Sequence, residues 1–196
     1  MTSAEASRAR EQAVGERSAE QLANWAAHPD AEVRAAVASN PATAPRTLEN
    51  LAHDEDWRVR AAAAANPATD GFWLGELIRD DDVRVREVAA ANPGLTSKDL
   101  ARAAEDDEAR VRAAAAANSA ASQTALDTAS QDIDWRVRAC AGANPVAPMV
   151  LLRTLATDED WRVRASVAAN AAAPSEVLAA LVLDGDAGVR EAAQRP

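Results

Sequence analysis

Apolar residues fall along this chain in short pairs rather than long stripes. In the stretch Asn40 to Asn66, NPATAPRTLENLAHDEDWRVRAAAAAN, Leu48 and Leu51 stand i, i+3, an acidic loop follows, and Val59 then leads a run of alanines. That spacing predicts two short helices, at about residues 44–52 and 57–65, each with one narrow buried face. Thr43 reads as the N-cap of the first helix, and Pro45 is tolerated in its first turn. Asp56 reads as the N-cap of the second, with its charge suited to the helix dipole. Asn66 reads as the C-terminal stop, since asparagine tolerates the left-handed conformation there, and Pro67 prevents continuation.

The pattern recurs every 26 residues without insertion. Val-Arg pairs stand at Val33-Arg34, Val59-Arg60, Val85-Arg86, Val111-Arg112, Val137-Arg138, Val163-Arg164 and Val189-Arg190. Leucine (Leu22, Leu48, Leu74, Leu100, Leu126, Leu152, Leu178) and asparagine (Asn40, Asn66, Asn92, Asn118, Asn144, Asn170) keep the same step. Four columns in register, with the aspartates below, define seven copies of one unit, and a fixed period of this length predicts an all-α solenoid. Helices of about nine residues are not stable alone. Burial of a Leu or Val, worth about 1.5–3 kcal/mol each, must come from stacking on the neighbouring copy. The core of the second helix is expected to be the Val with residues three and four on, as in Val33 with Val37, Val85 with Val88 and Val163 with Val167. Trp25 and Trp73, beside the Leu positions, are expected in the core. Glu108 replaces the usual aspartate cap and should cap less well.

Residues 1–17 are polar and Ala-rich, and read as a frayed helix or a disordered lead. Ser18 with Gln21 reads as a capping box opening the first copy, and residues 18–196 as a single solenoid domain. The last helix, Val189 to about Arg195, carries Glu191, Gln194 and Arg195 where other copies have alanine, as a capping repeat would.

Composition narrows the functional classes. The formal charge is −10 with 21 basic and 31 acidic residues, which argues against general affinity for nucleic acid. One cysteine, Cys140, excludes a disulfide framework and calls for no oxidising compartment. No apolar run approaches the roughly 20 residues of a membrane span, and the N-terminus lacks the apolar core of a signal peptide. The expectation is a cytoplasmic protein, monomeric by default.

The string Val-Arg-x5-Asn-Pro, then a Leu-x-x-Leu-Ala helix, then Asp-x-Asp resembles the leucine-rich repeat variant family, over about residues 20–195. The resemblance implies a right-handed superhelix of paired short helices, one α and one often 3₁₀, akin to HEAT and armadillo arrays, with no β-strand horseshoe. A founding type of the family carries a cysteine-rich module holding an iron–sulfur cluster. A cluster needs about four thiolates, so that association does not carry over to a chain whose Cys140 stands alone.

Two arginine columns carry the candidate chemistry. Arg60, Arg86, Arg112, Arg138 and Arg164, with Asp54, Asp80, Asp106, Asp132 and Asp158 six positions upstream of each, read as a structural ladder of charge-assisted hydrogen bonds tying loop to helix. A column present in every copy serves the copy; its functional alternative is a row of ligand-binding guanidiniums. The second column varies. Trp57, Trp135 and Trp161 open the second helix in some copies, while Ala31, Val83, Ala109 and Ala187 hold that position in others. Arg58, Arg84, Arg110, Arg136 and Arg162 follow directly. Trp and Arg are enriched in binding hot spots, so these residues form a candidate partner-binding stripe. They also fit a cation–π stack on the neighbouring copy.

Acid runs such as Asp54-Glu55-Asp56 and Asp158-Glu159-Asp160 read as N-caps and a solvated rim able to steer a basic partner. They lack the Gly and distal Glu of an EF-hand loop. His28 and His53 have no ligand partners at metal spacing, and no catalytic constellation or phosphate loop is present, so neither cofactor nor metal is expected. The function expected is a non-enzymatic scaffold for a protein or peptide. The alternative is a nucleic-acid-binding helical-repeat protein using the arginine columns.

Overall fold

Each sequence period becomes two α-helices in the computed structural model, which describes residues 3–194. An additional helix, α1 (Ser3–Gly15), comes first. The first helices of successive repeats are α2 (Ala19–Trp25), α4 (Pro45–Leu51), α6 (Gly71–Leu77), α8 (Ser97–Ala103), α10 (Gln123–Ser130), α12 (Met149–Leu155) and α14 (Ser175–Leu181). The second helices are α3 (Ala31–Ser39), α5 (Trp57–Ala65), α7 (Val83–Ala91), α9 (Ala109–Ala117), α11 (Trp135–Ala143), α13 (Trp161–Ala168) and α15 (Ala187–Ala193). Both members of every pair are α-helical, and no 3₁₀ helix or strand occurs among the described residues. Arg195, expected in the last helix, lies outside them.

The chain divides into two compact units, residues 1–96 and 97–196. In the first, α1, α3, α5 and α7 stack side by side while α2, α4 and α6 form a second layer against them. In the second unit, α9, α11, α13 and α15 make the stack and α8, α10, α12 and α14 the other layer. Each is an all-α repeat solenoid. The core runs between the layers: Leu22, Leu48, Leu74, Leu100, Leu126 and Leu152 from one side, Val33, Val59, Val85, Val111 and Val163 from the other, all fully buried. The residue four on from the Val, such as Val37, Ala63 or Val167, completes the face. Val88, three on from Val85, is only half-buried, because a step of four keeps closer to the helical period than a step of three.

Aspartate caps the second helices as its short carboxylate allows. Asp30, Asp56, Asp82, Asp134, Asp160 and Asp186 each accept the N–H two positions on. Glu108 occupies the N-cap position of α9 without a side-chain cap bond. Thr43 is not a cap: Ala44 holds that position, Pro45 stands in the first turn, and the Thr43 hydroxyl donates to the Val37 carbonyl at 2.6 Å. Thr69 makes the same bond to Ala63. Ser18 caps α2 by accepting from Gln21 N–H at 3.3 Å, while its own N–H donates to Glu16 rather than to Gln21.

Asparagine ends the second helices by a different device from the one its local propensity suggests. Asn40, Asn66 and Asn92 are extended (φ −74° to −71°, ψ 124° to 126°), and no described residue has positive φ. Their side chains are buried, and those of Asn66 and Asn92 reach into the preceding repeat. Asn66 Nδ2 donates to Ala38 O at 2.8 Å and Asn40 O at 2.9 Å, while Oδ1 accepts from Ala68 N–H. Asn92 repeats this on Ala64 and Asn66, Asn144 on Ala116 and Asn118, and Asn170 on Gly142 and Asn144. A carboxamide carries two donors and an acceptor, and here it satisfies carbonyls the helix end leaves orphaned.

Helix α1 supplies the same service to the first repeat. It packs on α3, buries Ala13 completely, and offers the Ala13 carbonyl (2.7 Å) to Asn40 Nδ2, which also bonds the carbonyl of Glu16 just beyond the helix (2.8 Å). Within the stretch expected as a frayed helix or a disordered lead, Ser3–Gly15 is a helix placed where a preceding repeat would lie.

Replacing Asn66 by alanine strands the Ala38 carbonyl and the Ala68 N–H, while Asn40 O keeps the Thr43 N–H. The expected loss is about 2–4 kcal/mol in urea unfolding. Asn50→Ala, at an exposed position of α4, is expected to change stability by less than about 0.5 kcal/mol. Equal effects of the two would remove the carboxamide's special role.

Candidate functional site

The invariant arginine column is consumed by contacts between repeats. Arg60 donates Nε and Nη2 to the two carboxylate oxygens of Asp80 at 2.6 and 2.8 Å, and Nη1 to the carbonyl of Asp54 at 2.8 Å. The same fork joins Arg34 to Asp54, Arg112 to Asp132, Arg138 to Asp158 and Arg164 to Asp184. So the aspartate upstream of Arg60, Arg112, Arg138 and Arg164 gives only a backbone carbonyl, as His28 does for Arg34. The carboxylate gripped by each guanidinium belongs to the following repeat. Arg86 makes the carbonyl bonds to Asp80 and Asp81, and Asp106 accepts the N–H of Glu108. These pairs are mostly screened from solvent, and each aspartate also accepts the N–H two positions on. The Arg164 fork holds the Asp184 carboxyl below the usual range. Burial pushes the Asp132 carboxyl up, but Arg112 and the Asp134 N–H leave it lowered overall.

The variable column forms stacks between neighbouring repeats. Arg84 Cζ lies 3.4 Å from the ring centroid of Trp57, and Arg162 lies 3.9 Å from that of Trp135. In both cases the covering arginine comes from the next repeat. Arg84 and Arg162 thus reach across to the preceding repeat's indole, while Arg136 lies over its own, 4.8 Å from Trp135, and Arg162 is 5.8 Å from its own Trp161. The same arginines pair with the N-cap aspartate of their own helix, Arg58 with Asp56 at 2.8 Å, Arg84 with Asp82 at 2.6 Å and Arg162 with Asp160 at 2.9 Å. Arg136 is held more loosely to Asp134, at 3.5 Å. Arg110 is exposed on the first turn of α9. Arg84 holds the Asp82 carboxyl down to about 2.

Beneath these guanidiniums Trp57 and Trp135 are half-buried, whereas Trp161 is 45% exposed. The reason stands in the following repeat, where Gly188 takes the place of the covering arginine. Comparing the column Arg84, Arg110, Arg136, Arg162, Gly188 would have revealed this exception from sequence alone. Trp25 and Trp73 are half-buried rather than core. Trp73 meets His53 and Phe72 edge to face at 4.9 and 4.8 Å, because the Leu74 and Leu77 positions already fill the interior.

The acid runs divide their labour. In Asp54-Glu55-Asp56 the first carboxylate grips Arg34, the last caps α5, and Glu55, its side chain 91% exposed, lies 3.6 Å from Arg34 Nη2. Glu159 is equally exposed in the equivalent run. Among the described residues no group of three or more His, Cys, Asp or Glu side chains is placed to hold a metal ion. His28 Nδ1 accepts from Asp30 N–H, and His53 Nδ1 lies 2.9 Å from Glu49 O. Burial raises the Cys140 thiol above its ordinary range, away from a reactive thiolate. No helix among the described residues is long and apolar enough to cross a membrane.

Stacked helix pairs, clasped repeat to repeat, define a helical-repeat protein. Two consecutive stretches, residues 31–56 and 57–82, match the family described as "Leucine rich repeat variant". Among solved structures it is similar to one described as a leucine-rich repeat variant with a novel repetitive protein structural motif. The identity is 27%, 92% of this chain and 72% of that one are covered, and the TM-score is 0.63. It also shares its fold with the X-ray structure of YibA of Escherichia coli, at 15% identity over 94% of this chain and 71% of that one, TM-score 0.51. No curated protein matches the sequence.

Two measurements test this geometry. In Arg84→Ala the Asp82 carboxyl should titrate back in the ordinary range near pH 4, and Trp57 emission should shift to the red; carboxyl chemical shifts and fluorescence read both. For the clamps, Asp184 has a folded pKa below its unfolded one. Its contribution to stability is then complete above about pH 4 and is lost as pH falls through the depressed folded value. The decline in urea midpoint below about pH 4 should be shallower in Asp184→Asn than in the parent.

Proposed function

We propose that the protein is a non-enzymatic scaffold that binds a protein or peptide along the faces bearing Trp57, Trp135 and Trp161 with Arg58, Arg84, Arg110, Arg136 and Arg162, and that it acts in the cytoplasm as a monomer. The observation carrying this reading is that the tryptophans are optional to the fold. Alanine or valine takes the same position in four other repeats, and those repeats pack as well. Trp and Arg at the first turns of stacked helices give a rigid surface with few rotamers to freeze on binding. The acid excess and the outward Glu55 and Glu159 favour a basic partner by steering. Repeat proteins present such extended surfaces by geometry, without a catalytic cleft.

A nucleic-acid partner is the weaker reading. The five forked arginines already give their donors to carboxylates and carbonyls, so they are spoken for before any phosphate arrives. A labelled single or double strand is expected to show no salt-dependent shift with this protein.

Affinity capture from the native cell followed by Trp→Ala substitution tests the main reading. The triple variant Trp57→Ala, Trp135→Ala and Trp161→Ala should keep its helical spectrum and lose at least about thirtyfold in affinity for the captured protein, the weight of one hot spot. Unchanged affinity in a folded triple variant would falsify the surface.

A further inference from the structure

Among the described residues, two guanidiniums bridge an indole of one repeat and the N-cap carboxylate of the next. Arg84 lies on the Trp57 ring and pairs with Asp82; Arg162 lies on the Trp135 ring and pairs with Asp160. The third indole, Trp161, and the corresponding carboxylate, Asp186, are present, but residue 188 is glycine. A Cβ built there would stand 3.3 Å from Trp161 Cζ3 and 3.2 Å from Asp186 Oδ1, so the missing side chain would start between the two groups. Trp161 is 45% exposed and Gly188 is open to solvent. Among the described residues no cation pairs with Asp186. Its Oδ1 accepts the N–H groups of Gly188 at 2.8 Å and Val189 at 3.3 Å. Asp160 accepts the same kind of capping bond while paired with Arg162, so capping does not use up the carboxylate.

We propose that Trp161 and Asp186 form a recognition site for an arginine side chain carried by a basic protein or peptide partner. The incoming guanidinium lies flat on the open indole face and donates two N–H groups to the Asp186 carboxylate, reproducing the arrangement the chain builds internally at Trp57 and Trp135. The planar fork can stack and pair at once, which a lysine ammonium cannot do. The net charge of −10 raises the local concentration of such a cation. This rests on the reading of the tryptophan face as a binding surface and gives one part of that surface its ligand chemistry.

The test uses the full chain with ¹⁵N-labelled tryptophan. Trp161→Phe identifies the Trp161 indole N–H resonance, which is followed during addition of acetyl-Gly-Arg-Gly-amide or its lysine counterpart. The arginine tripeptide should move that resonance saturably in the millimolar range, and the lysine tripeptide should bind several-fold more weakly. Gly188→Arg fills the site from within. It should keep the helical spectrum with an equal or higher Tm and abolish the response. Asp186→Asn should weaken it several-fold.

No movement, equal movement with lysine, or an undiminished response in folded Gly188→Arg would overturn the proposal. So would an indole shift that depends on the protein's own concentration, which would make a second copy the occupant. A captured partner that depends on Trp57 and Trp135 but ignores Gly188→Arg would overturn this site and leave the scaffold reading intact. Indifference of the partner to all three indoles, with the tripeptide response preserved, would do the reverse.

Discussion

The buried asparagine carboxamide is the constraint on which the stack depends. Apolar burial alone would let two alanine-rich helices slide past one another, because alanine faces are nearly featureless. The Asn66 amide forbids this. It meets Ala38 O and Asn40 O only at one register, and any slip leaves polar groups buried without partners. The same bonds turn each helix end into a neighbour's ligand, so these short helices end cleanly without a left-handed residue. The arginine fork fixes the opposite end of the helix in the same way, gripping the next repeat's aspartate through two parallel hydrogen bonds. Between them the two polar clasps set rotation and translation, while leucine and valine supply the burial.

With register fixed, the first turn of each second helix is free to vary. Position 57 and its equivalents hold Trp, Val or Ala without changing the packing around Val59 and its equivalents. Variation there alters the face and not the fold. An indole at this position lies against the next repeat, whose own arginine covers it where one is present. Whether a tryptophan is covered or open is thus decided one repeat away, by a residue with no local reason to be arginine or glycine.

Much of the fold is legible in the sequence because its determinants are local or periodic. The Leu and Val columns, the aspartate caps and the bounds of α5 follow from spacing and capping rules within one repeat. The asparagine role is not legible in the same way. Its tendency toward left-handed backbone is a property of the isolated residue, whereas its hydrogen-bond partners lie in the preceding repeat. Thr43 departs from its local reading for a related reason: its hydroxyl closes back on Val37 instead of capping forward. The lead before Ser18 lacks the repeat pattern, so nothing in its composition reveals that Ala13 and Glu16 offer carbonyls to Asn40. Size and proximity place Trp25 and Trp73 in the core, but the leucines leave no room there for an indole. For the candidate site, the residues can be picked out by column but not their pairing, since a side chain that reaches across repeats has no signature within one.

The clasps also limit how such a chain can change length. The recurring inter-repeat bonds join residues at fixed separations, 20 for the arginine fork and 26 or 28 for the asparagine bonds. Adding or losing one residue inside a repeat would offset both ladders against their partners at once. Inserting or excising a whole repeat would leave each ladder with an equivalent mate. Genes encoding this architecture are therefore free to grow or shrink by entire units, while drift by single codons in the loops is closed to them.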